Sequence, residues 1–321
     1  MPSRTWSHKI FIAGALAWCC LSSGLALAQQ AAGEWRLDDS DGDVRVGYFD
    51  RNAAQPDADP LLNLSCDPLN ATLTGFYRTR TPSVVEAAQA GTLALQITAP
   101  QAKAVIPAYA TQAPGEDAVG FEAPFTPDVA SALGARDLVL TLADLRIDVD
   151  ANGAQALAKL ASSCPQAPVL SAGDMKQYRT YLNVNGGFAV DIPARLFRLA
   201  SADRNGRFYR SETGNAELTV AAYGNALEQD VAKAYASALA DRSIVVSPTY
   251  KAKGKDFFVI SGKAKGRIVY VKSLLTCDGS VWASLRLDYD ESSKQDFDPV
   301  LTRMSQSFTP RIAADGTALC E

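Results

Sequence analysis

Asp288, Asp290 and Glu291 bracket Tyr289, and a pair of such carboxylates could cut a glycosidic bond. A plainer reading is that acidic residues just ahead of a helix suit its N-terminus and need no chemistry. The other concentration of charge is cationic, formed by Lys251, Lys253, Lys255, Lys263, Lys265, Arg267 and Lys272. Lys251, Lys253 and Lys255 alternate with small residues, so a strand would carry all three on one face. That face would suit lipopolysaccharide phosphates, an acidic glycan or an acidic partner. It would equally serve as a solvated face whose lysines keep a sheet edge from pairing with other chains.

What is missing narrows the chemistry. The only histidine is His8, which lies in a segment expected to be removed. That excludes Ser-His-Asp and Cys-His nucleophiles, HExxH metal sites and a histidine base. No serine after Gln29 has a lysine three positions on, so the Ser-x-x-Lys dyad is absent too. Two acidic turns invite a calcium reading and fail it. The turn from Asp38 to Asp43 does not keep the EF-hand register, and Asp148-x-Asp150-x-Asn152-Gly153 meets Lys159 where the closing glutamate must stand. Trp35 and Trp282 could stack on sugar, but one tryptophan per half reads more simply as core. No cofactor and no metal are expected.

The residues ahead of the body set the expected compartment. Arg4, His8 and Lys9 form a positive stretch, Ile10 to Ala28 an apolar one, and Ala26-Leu27-Ala28 a small-residue cleavage signal. This predicts a signal peptide over 1–28, cut after Ala28, and a periplasmic or secreted protein. No later segment is apolar and long enough to span a bilayer. Cys19 and Cys20 would leave with the signal, so Cys66, Cys164, Cys277 and Cys320 remain for disulfides in an oxidising compartment. No CxxC pair suggests zinc.

The chain of 321 residues has room for two domains. Between Gln29 and Leu170 there are 18 acidic against 9 basic residues; from Ser171 onward there are 17 against 20. That asymmetry supports separate domains that attract one another, and it is too mild for nucleic acid. The first domain, 29–164, reads as a mainly-β sandwich with a closing helix. Strands fall at Glu34–Leu37, Val44–Phe49, 61–66, 71–78, 93–97 and 137–150. Residues 99–126 hold four prolines and two glycines around short extended pieces, with short helices near 82–90 and 127–133. A helix is expected over 154–163, its apolar face made by Leu157 and Leu160.

A proline-bearing linker, 165–177, follows. The second domain, 178–310, reads as an antiparallel sheet flanked by helices, an α+β fold. Strands precede and follow Asn185-Gly186-Gly187, and another pair comprises Phe208–Arg210 and Ala216–Tyr223. A helix is predicted from Leu227 to about Asp241 with Asn225 as its cap. Four strands follow, from Ile244 to Tyr289, and a helix over 299–307 closes the domain. Residues 311–321 form a tail. Four cysteines allow three connectivities; the two-domain division favours Cys66 with Cys164, and Cys277 with Cys320.

The stretches GGFAVDIPARLF (186–197), GRFYRSETGNAELTVAAYG (206–224), FFVISG (257–262) and IVYVK (268–272) are similar to the PsbP-like α/β/α sandwich. That resemblance implies binding or assembly roles and brings no active-site residues. Residues 34–164 resemble the invasion-associated locus B modules, through an early tryptophan, a strand ending in cysteine and a helix closing on a second cysteine. The expectation is a non-catalytic binding or assembly factor of the bacterial envelope, its partner an envelope protein or an anionic envelope component. The alternative is a carboxylate-dependent hydrolase of envelope glycan.

Overall fold

The computed structural model describes residues 29–30, 33–40, 43–50, 60–79, 81–110, 118–143, 145–167, 177–241, 247–312 and 319–320. The expected signal over 1–28, most of the linker and most of the tail lie outside the described residues.

Ten strands make the first sheet: β1 (Gln29–Gln30), β2 (Gly33–Asp38), β3 (Arg45–Asp50), β4 (Leu62–Asp67), β5 (Thr72–Arg78), β6 (Ala94–Ala99), β7 (Ala102–Ala110), β8 (Ala118–Pro124), β9 (Val139–Leu142) and β10 (Leu145–Asp148). Their order is β1-β10-β9-β6-β7-β8-β5-β4-β3-β2. The expected sandwich of two stacked sheets is therefore corrected to one curled sheet. The reason lies in β7, which belongs to both flanks. Its residues Ala102–Pro107 pair with β6, and Ala108–Ala110 pair with β8. Pro107, which has no N–H to give a ladder, stands where the pairing changes sides. The curl lets Leu62, Leu64 and Phe121 from one flank meet Leu95, Ile97 and Leu140 from the other in one core.

Three helices close that core: α1 (Pro82–Ala90), α2 (Pro127–Leu133) and α3 (Ala151–Ser163). Both shorter helices open on proline, whose missing N–H costs nothing at that position. Helix α3 starts three residues earlier than expected. Asp150 Oδ1 accepts from Gly153 N at 2.8 Å and caps it, so the half-matched calcium loop is a helix start. Gly153 sits inside the first turn because Trp35 covers it, and a Cβ there would lie 2.5 Å from the indole. Leu157 and Leu160 are fully buried, as their spacing suggested.

The second part begins with β11 (Tyr178–Asn183) and β12 (Phe188–Pro193), which form a small sheet with β20 (Thr309–Pro310). A seven-stranded antiparallel sheet follows, comprising β13 (Phe197–Asp203), β14 (Gly206–Ser211), β15 (Ala216–Gly224), β16 (Ser247–Lys253), β17 (Phe257–Ala264), β18 (Arg267–Thr276) and β19 (Val281–Asp290). Its order is β13-β14-β15-β19-β18-β17-β16. Helices α4 (Val231–Ala240) and α5 (Lys294–Ser307) cover opposite faces. Phe258 and Ile260 of β17 bury against α4, while Val259 between them joins the core under α5.

Helix α4 starts four residues later than expected. Leu227, read as the head of its apolar stripe, is 79% exposed. Asn225 ties a turn instead, accepting from Gln229 N and donating to Gly279 O, and Asp230 Oδ1 caps the helix through Lys233 N at 2.8 Å. Helix α5 begins five residues earlier than expected, so Pro299 lies inside it.

Cys66–Cys164 and Cys277–Cys320 are both formed, each with Cα atoms 5.7 Å apart. The first ties the end of β4 to the C-terminus of α3.

Candidate functional site

The cationic cluster does not act as one surface. Lys251 and Lys253 lie exposed on β16, the outermost strand of the seven, and Lys255 is exposed in the turn that follows. The Lys253 ammonium stands 5.8 Å from the Tyr235 ring centroid. Lys263 pairs with Glu291, and Arg267 pairs with Asp290 at 3.1 Å and also donates to Asp288 O. Lys265 shapes the β17–β18 hairpin, where it and Gly266 both have positive φ. Lys272 donates to Ser305 O and Phe308 O and so closes the C-terminal end of α5. The carboxylates are engaged in the same way. Asp288 takes a forked contact from Arg286, with Nη2 to Oδ2 at 2.8 Å, so all three acidic candidates face a cation.

The exposed lysines on an outermost strand fit edge protection. Replacing Lys251 and Lys253 with valine is expected to raise self-association in size-exclusion chromatography. Stability should change by no more than about 0.5 kcal/mol. A larger loss in urea would show that these side chains hold the strand in place.

The side chains that do converge lie where the ten-stranded sheet meets β11–β14. Strand β8 buries Val119, Phe121 and Ala123 in the first core, so the alternation turns Glu122 to the other face. There Arg207 of β14 meets it, Nε to Oε2 at 2.9 Å, with each side chain only 13% exposed. The guanidinium also donates from Nη1 to Asp203 O and Gly206 O, and it lies over the Tyr181 ring with 5.0 Å to the centroid. Beside it, Asn70 clamps β11 to the first sheet, accepting from Leu182 N at 2.8 Å and donating to Leu182 O.

Burial sets the protonation of this group. It raises the Glu122 carboxyl against the opposing pull of Arg207. In Arg207 burial disfavours the charge, but Glu122 and the neighbouring tyrosines outweigh it and the guanidinium stays protonated. Burial also lifts Tyr109, Tyr181 and Tyr209, which keeps their hydroxyls neutral.

A cleft of about 500 Å³ opens beside Glu122, with Tyr181 and Tyr209 also on its lining. Its apolar wall comes from Pro107 and Pro124 on one side and Ile192, Phe197 and Leu199 on the other; its cations are Arg179, Arg195 and Arg198. The Arg198 guanidinium packs against Gly91, the left-handed residue that ends α1, where a Cβ would sit 1.9 Å from Nη1. The register of β13 against β14 shifts between Leu199 and Ser201, a bulge beside the cleft. None of these cleft residues was singled out by residue type. The available signal was Glu122, a lone acid in an otherwise apolar strand.

No protein-family model and no curated protein matches this chain. Solved structures similar to it include the Ran-binding protein Mog1p of Saccharomyces cerevisiae, at 11% identity over 42% of this chain and 96% of that one, with a TM-score of 0.33. They also include the cyanobacterial PsbP (CyanoP) of Synechocystis sp. PCC 6803, at 9% identity over 44% of this chain and 98% of that one, with a TM-score of 0.34. No residue role passes from either to this chain. Neither is an invasion-associated locus B protein, and the single curled sheet departs from the sandwich that resemblance implied.

Proposed function

We propose that the protein is an exported, non-catalytic binding or assembly factor of the bacterial cell envelope, with the cleft beside Glu122 as its ligand seat. The cleft is the observation that carries this reading. It has the size of a small-molecule site, mostly apolar walls and a few converging polar groups. Two disulfides are compatible with an oxidising compartment, and no helix among the described residues is long and apolar enough to cross a membrane. The first core and the two clusters on the faces of the seven-stranded sheet lie on either side of residues 165–177, and are read as two domains with the ligand seat between them. A carboxylate-dependent hydrolase is the weaker reading, since Asp288, Asp290 and Glu291 are each engaged by a cation.

The test is to express the full chain in a bacterial host and purify it from the periplasm without denaturation. The mature N-terminus is expected at Gln29, and denaturation should release a bound small molecule visible by mass spectrometry. Turnover of envelope glycan that disappears in Asp288→Asn would sink the binding reading.

A further inference from the structure

We propose that the cleft takes an uncharged molecule with a hydrocarbon body, such as a long-chain alcohol; this rests on reading the cleft as a ligand seat. The walls argue for the body. Ile192, Phe197 and Leu199 stand across from Pro107 and Pro124 around about 500 Å³, a volume that suits a small molecule. Proline has no N–H, so the facing wall lacks those two backbone donors as well. A hydrocarbon chain gains from each CH₂ it buries against such walls, without needing a hydrogen-bond partner.

The polar side chains of the cleft argue against a charge, because the protein already engages them. Thr180 Oγ1 donates to Asp191 Oδ1 at 2.7 Å, and Asn70 uses both ends of its amide on the backbone of Leu182. Glu122 is held by Arg207, and Arg179 and Arg195 have partners within the protein. Arg198 turns Nη1 onto Gly91, which is not part of the cleft wall, and Thr72 Oγ1 is fully buried, out of a ligand's reach. Glu212 is exposed. Tyr181 and Tyr209 remain, and burial keeps both hydroxyls neutral. They suit one hydroxyl or carbonyl on the ligand. A charged head would lose its water against side chains that are already paired. A sugar brings several hydroxyls, and a peptide an N–H and a C=O per residue, for which these side chains hold too few partners.

The experiment titrates hexanol, octanol, decanol, decanoate and maltose into the full mature chain by calorimetry. From hexanol to decanol the affinity is expected to rise about three- to fourfold with each CH₂, the gain from burying a methylene. Decanoate should bind no tighter than decanol, and maltose should not bind. Leu199→Gln, at a half-buried wall position, should weaken decanol by about tenfold. Ala194→Trp fills the cleft from another half-buried position and should abolish decanol binding, which keeps the test open if the first variant fails to fold. Decanol binding unchanged in the folded variants would place it elsewhere and overturn the proposal. An affinity that stays flat from hexanol to decanol would overturn the hydrocarbon body. Decanoate binding more tightly than decanol would overturn the uncharged class, and so would maltose binding that Ala194→Trp abolishes. If no alcohol binds a chain that still releases a small molecule on denaturation, the ligand class falls and the seat stands. If nothing is released either, the seat falls with it.

Discussion

Arg207→Met is expected to lower stability by about 3–5 kcal/mol at neutral pH, the usual cost of leaving one member of a buried ion pair without its partner. Glu122 is the member left behind, and its side chain is only 13% exposed. The loss should depend on pH in a defined direction. Burial already raises the Glu122 carboxyl above its ordinary value of 4.5, and without the guanidinium it rises further. A carboxyl raised in the folded state contributes stability that is full below its unfolded value and is lost as the pH climbs through the folded one. The variant should therefore be closest to the parent near pH 4 and furthest from it above neutrality. Urea midpoints at the two ends of that range would check this, and an equal loss at both would refute the assignment of the cost to Glu122. Combining Glu122→Leu with Arg207→Met removes both charges, and should recover most of the loss.

That pair also shows where sequence reading stops. Helix starts were readable where one residue carries the signal, as at Pro82 and Pro127, whereas the start of α3 was placed three residues late because its cap, Asp150, read as the end of a strand. Strand faces were readable where period two is clean, as in Phe188, Val190 and Ile192. Strand β13 was not, because its bulge between Leu199 and Ser201 breaks the alternation at the point where the chain enters the cleft. The curl of the first sheet was hidden for a similar reason. Pro107 looks like loop chemistry, yet it marks a change of partner inside one nine-residue strand, β7. Glu122 and Arg207 stand 85 residues apart, each unremarkable in its own strand. Only the packing of β13 on β7 and β8, which brings Arg207 of the adjoining β14 to Glu122, makes them a buried pair. The two large charge clusters were easy to see because they are local, and the structure pairs Lys263 with Glu291 and Arg267 with Asp290 across them while leaving Lys251, Lys253 and Lys255 exposed.

Replacing Cys66 and Cys164 together with alanine should cost about 3–5 kcal/mol, the second large effect expected. The bond spans 98 residues, so its loss restores the chain entropy of a loop that holds strands β5 to β10 and all three helices of the first part. Its anchor points give that entropy something to act on. Cys164 is buried at the end of α3, whose Leu157 and Leu160 fill the core above the curl. Freeing that end would let the helix lift from a core that depends on it for closure. The Cys277–Cys320 bond spans 43 residues and Cys320 is exposed, so opening it restores the entropy of a shorter loop. Cys277→Ala with Cys320→Ala is therefore expected to cost clearly less. Guanidinium unfolding of both double variants, read by tryptophan fluorescence, decides the point. Trp35 lies over α3 at Gly153, so its signal should shift first in the Cys66→Ala, Cys164→Ala variant. The reverse ranking would mean that the tail, and not α3, is the closure on which the fold depends.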